Sequence, residues 1–382
     1  MKVVYFYPQF VHPAGTERIL IDKANYLADL YGYDIILLTF QQGKHPFPYS
    51  LSVRVKHVDL DTPYDSMYKY NTLVRFFKWF QFNRVLQERF NSFIQIFCPD
   101  IVISTTGFAR TCSAVVKCPE SFVRIAESHI DFRYQKTHAL TDHYSFFRRI
   151  RVNYDMHVIR KNIRRYNLLV ALNQSDAEDW AKYVSTTVIT NVVHLNHTGK
   201  IADLQSKHVI FVGRYVPQKG LFDLFKIWHL VHEKYPDWHL DLYGEGEQRI
   251  ALEKEAERLC ENIHIHHPDT QIFYRYLDSS ILVMTSLFEP FGLVMVEAMS
   301  CGLPVVAFNC PYGPAKIVTD GVNGFLVNNR DIQLFAERIC QLIESADLRS
   351  SMGHAAIVSS QCFSVMNVMP QWDALFNSYF KQ

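Results

Sequence analysis

Short apolar runs alternate with amphipathic helical stretches along the whole chain, and this alternation restricts the fold to parallel α/β units. VVYFY (3–7), DIILLTF (34–40), DIVIST (100–105) and LLVAL (168–172), with runs at 123–127 and 187–193, read as buried strands. Between the first two, residues 17–30 place Leu20, Ala24, Leu27 and Ala28 on one helical face, and Gly32 supplies the stop. The pattern pauses over the polar, aperiodic segment 195–207. It resumes with HVIFVG (208–213), strands at 239–243, 263–266, 281–286 and 304–308, and helices from 220 and over 247–260, 271–278 and 292–301. The 382 residues therefore divide into a first domain, 1–194, a linker, 195–207, and a second domain, 208–369, each a doubly wound Rossmann-like sheet.

Charge narrows the function. The formal net charge of +1 excludes a dedicated nucleic-acid binder. That sum hides a split: the chain through Leu195 carries +7 and the remainder −6. The eight cysteines form no C-x-x-C pair, which argues against a zinc site and for reduced thiols in the cytoplasm. No apolar run approaches the roughly 18 residues of a membrane span, and the stretch before Pro8 is too short for a signal peptide. Within the basic half, residues 73–84 interleave Phe76, Phe77, Trp79, Phe80 and Phe82 with Arg75, Lys78 and Arg84. Residues 148–165 carry Arg148, Arg149, Arg151, Arg160, Lys161, Arg164 and Arg165. Such stretches suit an anionic lipid surface, so a cytoplasmic protein peripheral to the inner face of the plasma membrane is expected. The alternative is a core-facing aromatic helix with solvated cations.

The segment from Ser286 to Val327 is the richest in chemistry. A strand ends at a loop holding Glu289, and Pro290 and Gly292 precede a helix, so the N–H groups of Phe291, Gly292, Leu293 and Val294 make an anion-favouring helix start. Glu297, five residues into that helix and flanked by apolar neighbours, leans back toward the same end. Two carboxylates beside an anion site suit hydroxyl groups, and one phosphate site with two hydroxyl acceptors describes a nucleotide sugar. The competing readings are a helix-capping acid for Glu289 and a solvated residue for Glu297. The turn after strand 208–213 brings Arg214 and Lys219 to the carboxyl edge of the sheet, where a diphosphate could be neutralised; the competing reading is two solvated loop cations. Tyr243-Gly244-Glu245-Gly246 is a second strand-to-helix turn, with Gly244 and Gly246 permitting close approach to a ligand. In the first half, Gly15 and Thr16 open a helix, as a phosphate site or as a plain turn with Thr16 the N-cap. Glu127-Ser128-His129 follows the strand at 123–127, and Asp59-Leu60-Asp61 resembles a metal-binding D-x-D without neighbouring ligands.

With these residues in hand, the chain resembles the retaining glycosyltransferases of family four, whose GT-B architecture sets two Rossmann-like domains facing across a cleft. FVGRYVPQKG, LYGEGE and EPFGLVMVEAMSCGLPVVAF carry the resemblance, which covers Val209 to Val327 closely and Met1 to Phe40 and Glu127 to His129 more weakly. The resemblance implies transfer of a hexosyl or N-acetylhexosaminyl group, with retention, from a nucleotide sugar such as a UDP-sugar. The implied acceptor is a glycan or lipid-linked molecule in cell-surface polysaccharide or lipopolysaccharide synthesis. It implies that Arg214 and Lys219 hold the diphosphate, Glu289 the donor-sugar hydroxyls with the Phe291 and Gly292 amides, and Glu297 the ribose diol. Gly15 would face the diphosphate from the first domain, and His129 the donor sugar. It also implies that a helix over Pro370 to Phe380 returns to the first domain. No metal and no cofactor is expected, since fixed cations stabilise the leaving diphosphate. The chain departs from the family in carrying Ala14-Gly15 for two glycines and Asn191-Val192 for Asn-Pro. Two other readings stay open: a non-catalytic nucleotide-sugar-binding subunit of the same fold, and a nucleotide-sugar epimerase.

Overall fold

The computed structural model describes residues 1–11, 14–62, 64–129, 132, 146–259 and 261–380, with side chains at 65, 67–68, 72–73, 76 and 146–149 left aside. The chain divides into two compact units, Met1–Val192 with Val368–Gln382, and Val193–Asn367.

The first unit is built on seven parallel strands: β1 (Lys2–Phe6), β2 (Asp34–Thr39), β3 (Val55–Asp59), β4 (Ile101–Thr105), β5 (Val123–Ser128), β6 (Leu168–Ala171) and β7 (Thr186–Val188). Their order is β3-β2-β1-β4-β5-β6-β7, so the chain reverses its winding between β1 and β4. β1 pairs on both sides, which is why Val3 to Phe6 read as an unbroken apolar run and are fully buried. Its helices are α1 (Gly15–Tyr31), α2 (Thr72–Phe97), α3 (Ala109–Lys117), α4 (Phe146–Ile163) and α5 (Gln174–Trp180). α1 ends where Gly32, at φ 68°, returns its N–H to the Leu27 carbonyl, and α2 begins where the Asn71 side chain accepts the Val74 N–H at 3.0 Å. The expected strand 187–193 is shorter and earlier: only Thr186–Val188 pairs with β6, and Ile189, Val192 and Val193 are buried beyond the sheet.

The second unit carries β8 (His208–Val212), β9 (His239–Tyr243), β10 (Ile263–His266), β11 (Ile281–Met284), β12 (Val305–Phe308) and β13 (Gly324–Val327) in the parallel order β10-β9-β8-β11-β12-β13, with its reversal between β8 and β11. α6 (Leu221–His232), α7 (Arg249–Leu259), α8 (Ile272–Leu277), α9 (Leu293–Ser300), α10 (Pro314–Ile317), α11 (Ile332–Glu344) and α12 (Ala346–Ser360) accompany it. Its core gathers Phe211, Trp228, Leu240, Val283, Val306 and Phe335. The expected linker is packed onto this unit. The Asn196 N–H donates to Ser300 Oγ at 2.9 Å, the Ala202 N–H to the Cys301 carbonyl, and Arg349 Nε to the Leu204 carbonyl, while Ala202 and Leu204 are buried. Two small apolar anchors in a polar segment leave no periodic signal.

α13 (Val365–Ser378) begins five residues before the expected Pro370 and accommodates that proline inside the helix. From Val368 onward it belongs to the first unit, where Trp372 and Phe376 are buried, Phe376 lies 6.2 Å from the Tyr33 ring, and the Tyr33 hydroxyl donates to Asp373. The aromatic stretch on α2 divides: Trp79 and Phe82 pack against the core, while Phe77 and Phe80 stand exposed. On α4, Arg160 lies over the Phe132 ring, Arg151 reaches Asp155, and Ile150 and Tyr154 are exposed.

Deleting a fully buried aromatic side chain costs about 3–5 kcal/mol. Phe376→Ala should therefore lower the unfolding free energy of the first unit by that order in a urea titration; a loss under about 1 kcal/mol would mean that α13 contributes nothing to its core.

Candidate functional site

In the second unit the sequence-derived residues meet at the carboxyl edge of the sheet. β8 runs out into Arg214, a 3-10 turn over Pro217–Lys219, and Gly220 at φ 62°, which starts α6. Gly220 is required by space as well as by φ, since a Cβ there would collide with the Thr285 carbonyl oxygen. Thr285 Oγ1 donates to the Lys219 carbonyl at 2.9 Å, so the turn is fastened to the end of β11. Lys219 is thereby carried inward and is buried, and its Nζ lies 2.5 Å from Glu289 Oε2. Ser286 Oγ donates to the same carboxylate oxygen at 3.3 Å. Glu289 is not a helix cap: α9 has no side-chain cap, and Oε2 of the carboxylate meets Lys219 and Ser286.

The loop holding Glu289 is itself tightly held. The Gly313 N–H donates to the Glu289 carbonyl at 2.6 Å, and Tyr312 sits at φ 90°, a costly conformation for a residue with a side chain. Gly292 at φ 96° precedes α9, whose first N–H groups, on Leu293 and Val294, have no acceptor within the helix. One turn on, Glu297 is buried, which rules out the solvated reading, and accepts from the Tyr276 hydroxyl at 3.3 Å. Burial, and then the Glu297 charge, pushes the Cys301 thiol up to about 12; burial, and then Glu289, does the same to Cys310.

Gly244 and Gly246 end β9 as expected, but the close approach they permit is to the chain itself. A Cβ on Gly244 would strike the Gly213 carbonyl oxygen, and one on Gly246 the Tyr215 backbone. Arg214, by contrast, is exposed, and its guanidinium reaches Gln218 Oε1 at 3.4 Å.

Several residues of this edge were not legible in the sequence. Gln218 Nε2 donates to the Phe288 carbonyl at 3.0 Å, and Arg330 donates to the Thr285 and Ser286 carbonyls and to Asp223, fastening the two loops together. A pocket of about 400 Å³ opens beside β9 and β10, lined by Tyr243, His266, His267, Pro268, Asp269, Thr270 and Arg275. The Tyr243 and His266 rings stack at 4.5 Å there, and α8 links this pocket to Glu297 through consecutive residues, Arg275 and Tyr276. Helix i+1 spacing gives no periodic signal for such a junction.

In the first unit, Gly15 is the first residue of α1 and Ala14 its N-cap; Thr16 lies inside the helix and caps nothing through its side chain. His129 stands just beyond β5, with Nε2 at 2.7 Å from Glu127 Oε2, and that oxygen is paired with Lys23 Nζ. Lys23, one of the residues missed, falls between Leu20 and Leu27 on the apolar face of α1, and a cation on that face was the available signal. Asp59 accepts from Thr39 Oγ1, the Gly43 N–H and the Asp61 N–H, so the D-x-D is a turn. Among the described residues no group of three or more histidine, cysteine or carboxylate side chains is arranged to hold a metal ion.

Residues 196–358 match the family described as glycosyl transferases group 1. An uncharacterized glycosyltransferase of Haemophilus influenzae is 26% identical over 98% of this chain and 99% of its own length. The amylovoran biosynthesis glycosyltransferase AmsD of Erwinia amylovora is 26% identical over 95% of this chain and 96% of its own. The S. aureus protein TarM, solved with fondaparinux, alpha-GlcNAc-glycerol and UDP, superposes with a TM-score of 0.77 at 16% identity, covering 98% of this chain and 99% of that one.

Burial alone raises the Glu127 carboxyl, but the Lys23 charge and the His129 hydrogen bond outweigh it and hold the group at about 2, against an ordinary 4.5. A depressed carboxyl contributes stability that is complete above its unfolded value and is lost as pH falls through its folded one. Unfolding free energy should thus lose roughly 3 kcal/mol through Glu127 between pH 4.5 and about 2. Lys23→Met combined with Glu127→Gln should lack that part of the acid dependence in denaturant titrations; identical slopes would show that Glu127 is not held ionised. The second unit thus matches the glycosyl transferases group 1 family, and the chain's two parallel-sheet, Rossmann-like units are those of the GT-B glycosyltransferases.

Proposed function

We propose that this protein is a retaining glycosyltransferase that moves a hexosyl or N-acetylhexosaminyl group from a UDP-sugar to a glycan or lipid-linked acceptor in cell-surface polysaccharide or lipopolysaccharide synthesis. The observation that carries the reading is the buried Lys219–Glu289 pair set beside the α9 start, with Glu297 buried one turn away. A cation, a helix amide end and two carboxylates at one sheet edge are the complement of a diphosphate flanked by two polyols. Both full-length relatives are glycosyltransferases by name, and AmsD acts in amylovoran biosynthesis.

The charges supply the chemistry. Cleavage of the anomeric C–O bond leaves negative charge on the departing diphosphate, and in this reading Lys219, Arg214 and the Leu293 and Val294 amides meet it. Lys219 has three donor hydrogens and gives one direction to Glu289, which in this reading leaves the ammonium free to serve the phosphate and sugar subsites together. Glu289 then accepts from sugar hydroxyls while the Phe291 and Gly292 N–H groups donate to the sugar oxygens, and Glu297 accepts from the ribose diol. The pocket at Tyr243 and His266 takes the base by stacking, with Asp269 and Arg275 at its edge. Attack of an acceptor hydroxyl oxygen on the anomeric carbon, from the same face that the diphosphate leaves as its C–O bond breaks, with the hydroxyl proton passing to the leaving phosphate, gives retention. No metal is required in this scheme.

The membrane reading rests on the exposed Phe77 and Phe80 of α2 and Ile150 and Tyr154 of α4, among the cations of the basic half. No described helix is long and apolar enough to cross a membrane. Vesicles containing anionic lipid should bind the protein at low salt and release it as salt rises; binding indifferent to lipid charge would remove the membrane from the proposal.

Glu297→Ala should weaken UDP-glucose or UDP-N-acetylglucosamine binding about ten- to a hundredfold in calorimetry, the loss of hydrogen bonds to a charged acceptor, and Tyr276→Phe less. Unchanged affinity would end the ribose assignment. Turnover of the donor should persist in EDTA, and an absolute need for manganese or magnesium would overturn the account of the leaving group.

A further inference from the structure

The first unit holds a second group of buried polar side chains whose hydrogen-bonding capacity is only partly used. Tyr5 lies in register with Ile103, and Thr105 with Glu127, so by the two-residue alternation of strands their side chains rise from one face of β1, β4 and β5. Lys23 reaches this face from α1 and pairs with Glu127, and its ammonium lies 4.3 Å from the Trp372 ring centroid and 5.8 Å from that of Tyr5. Lys23, Glu127 and His129 are 1%, 2% and 8% exposed. Even so, among the described residues Glu127 Oε1, His129 Nδ1 and the hydroxyls of Tyr5 and Thr105 are buried with no hydrogen-bond partner. Each such atom is costly to bury unpaired, and four gathered on this face and at its edge describe a site completed by a ligand.

The group has a direction. Against the opposing effect of burial, Lys23 and His129 hold the Glu127 carboxyl below its ordinary range, so it stands ionised near neutral pH, and an ionised carboxylate only accepts. The His129 Nε2 that faces it at 2.7 Å therefore carries the proton, and in the neutral ring Nδ1 keeps its lone pair. We infer that Lys23 and Glu127 are positioning residues that fix His129 as the Nε2–H tautomer and so present Nδ1, beside Glu127 Oε1, as acceptors for a hydroxyl of a bound sugar or polyol. Charge selects the same ligand class. The Lys23 cation is cancelled by Glu127, so the site offers a phosphate no net charge while offering hydroxyl protons two adjacent acceptors. The choice of a sugar as the hydroxyl's bearer rests on the function proposed above; the tautomer does not.

Long-range proton–nitrogen NMR on protein labelled with 15N-histidine reads the tautomer, and the spectrum of His129→Asn identifies the resonance among the seventeen histidines. The wild-type protein should show a protonated Nε2 and an unprotonated Nδ1. Lys23→Met strands a buried carboxylate and should unfold readily. Lys23→Met with Glu127→Gln removes both charges, should fold, and should give a mixture of tautomers; a folded double variant that keeps the pure Nε2–H form overturns the positioning role. Three ligands then locate the hydroxyl. A shift of Nδ1 with UDP-glucose but not UDP places it on the donor, and a shift with methyl α-glucopyranoside in the presence of UDP places it on the acceptor. A shift with UDP alone, or with none of these, overturns the hydroxyl site. Calorimetry on the same samples separates the two failures. UDP-glucose that binds while neither it nor methyl α-glucopyranoside with UDP moves His129 sinks this inference alone, whereas UDP-glucose that does not bind sinks the donor assignment and leaves the tautomer to decide the positioning role.

Discussion

Every strand pair described in either sheet runs parallel, and the rest of the structure follows from that constraint. Parallel pairing sends all strand ends of one kind to one edge, and the helices that return the chain begin at that same edge. Loops, helix amide ends and whatever polar residues they carry are thereby collected, in each unit, where the winding reverses: between β1 and β4 in the first and between β8 and β11 in the second. Residues as far apart in sequence as Lys219 and Glu289, or Lys23 and Glu127, become neighbours through this rule rather than through local folding.

Each unit uses its edge to bury a lysine against a glutamate. Burial opposes both charges, and a pair in this setting survives because each charge meets the other and because hydrogen bonds satisfy much of what remains. At Glu289 the extra donor is Ser286; at Glu127 it is His129. The two pairs differ in what they leave over. Lys219 and Glu289 lie beside a helix start and an exposed Arg214, a setting for anions and hydroxyls together. Lys23 and Glu127 lie among aromatic rings on a strand face, with buried polar atoms to spare.

The glycines show how a motif can be legible while its reason is not. Gly244 and Gly246 follow a strand and open a helix, as a ligand-binding turn does, yet the space they free is filled by the Gly213 and Tyr215 backbone. They bring two loops into contact and so set where Arg214 and Lys219 stand. Thr16 makes the complementary case: a hydroxyl near a helix start suggests a cap, but α1 starts one residue earlier, at Gly15, and the side chain has no cap to make.

The sequence by itself determined the parallel α/β class and the strand and helix positions to within a few residues, and it singled out Arg214, Lys219, Glu289 and Glu297, which the fold carries to one edge of the second sheet. It could do so because strand burial and helix amphipathicity are written at periods of two and 3.6 residues, and because Glu289 and Glu297 are tied to one loop and one helix. Only the tertiary structure decided that the segment 195–207 is held on the second unit by Ala202 and Leu204. Only it decided that α13 lays Trp372 over Lys23, that Gln218 and Arg330 fasten the loops, and that Glu127 faces both a cation and an imidazole. These are contacts between residues tens to hundreds of positions apart, and no local period records which side chain another element will bring opposite.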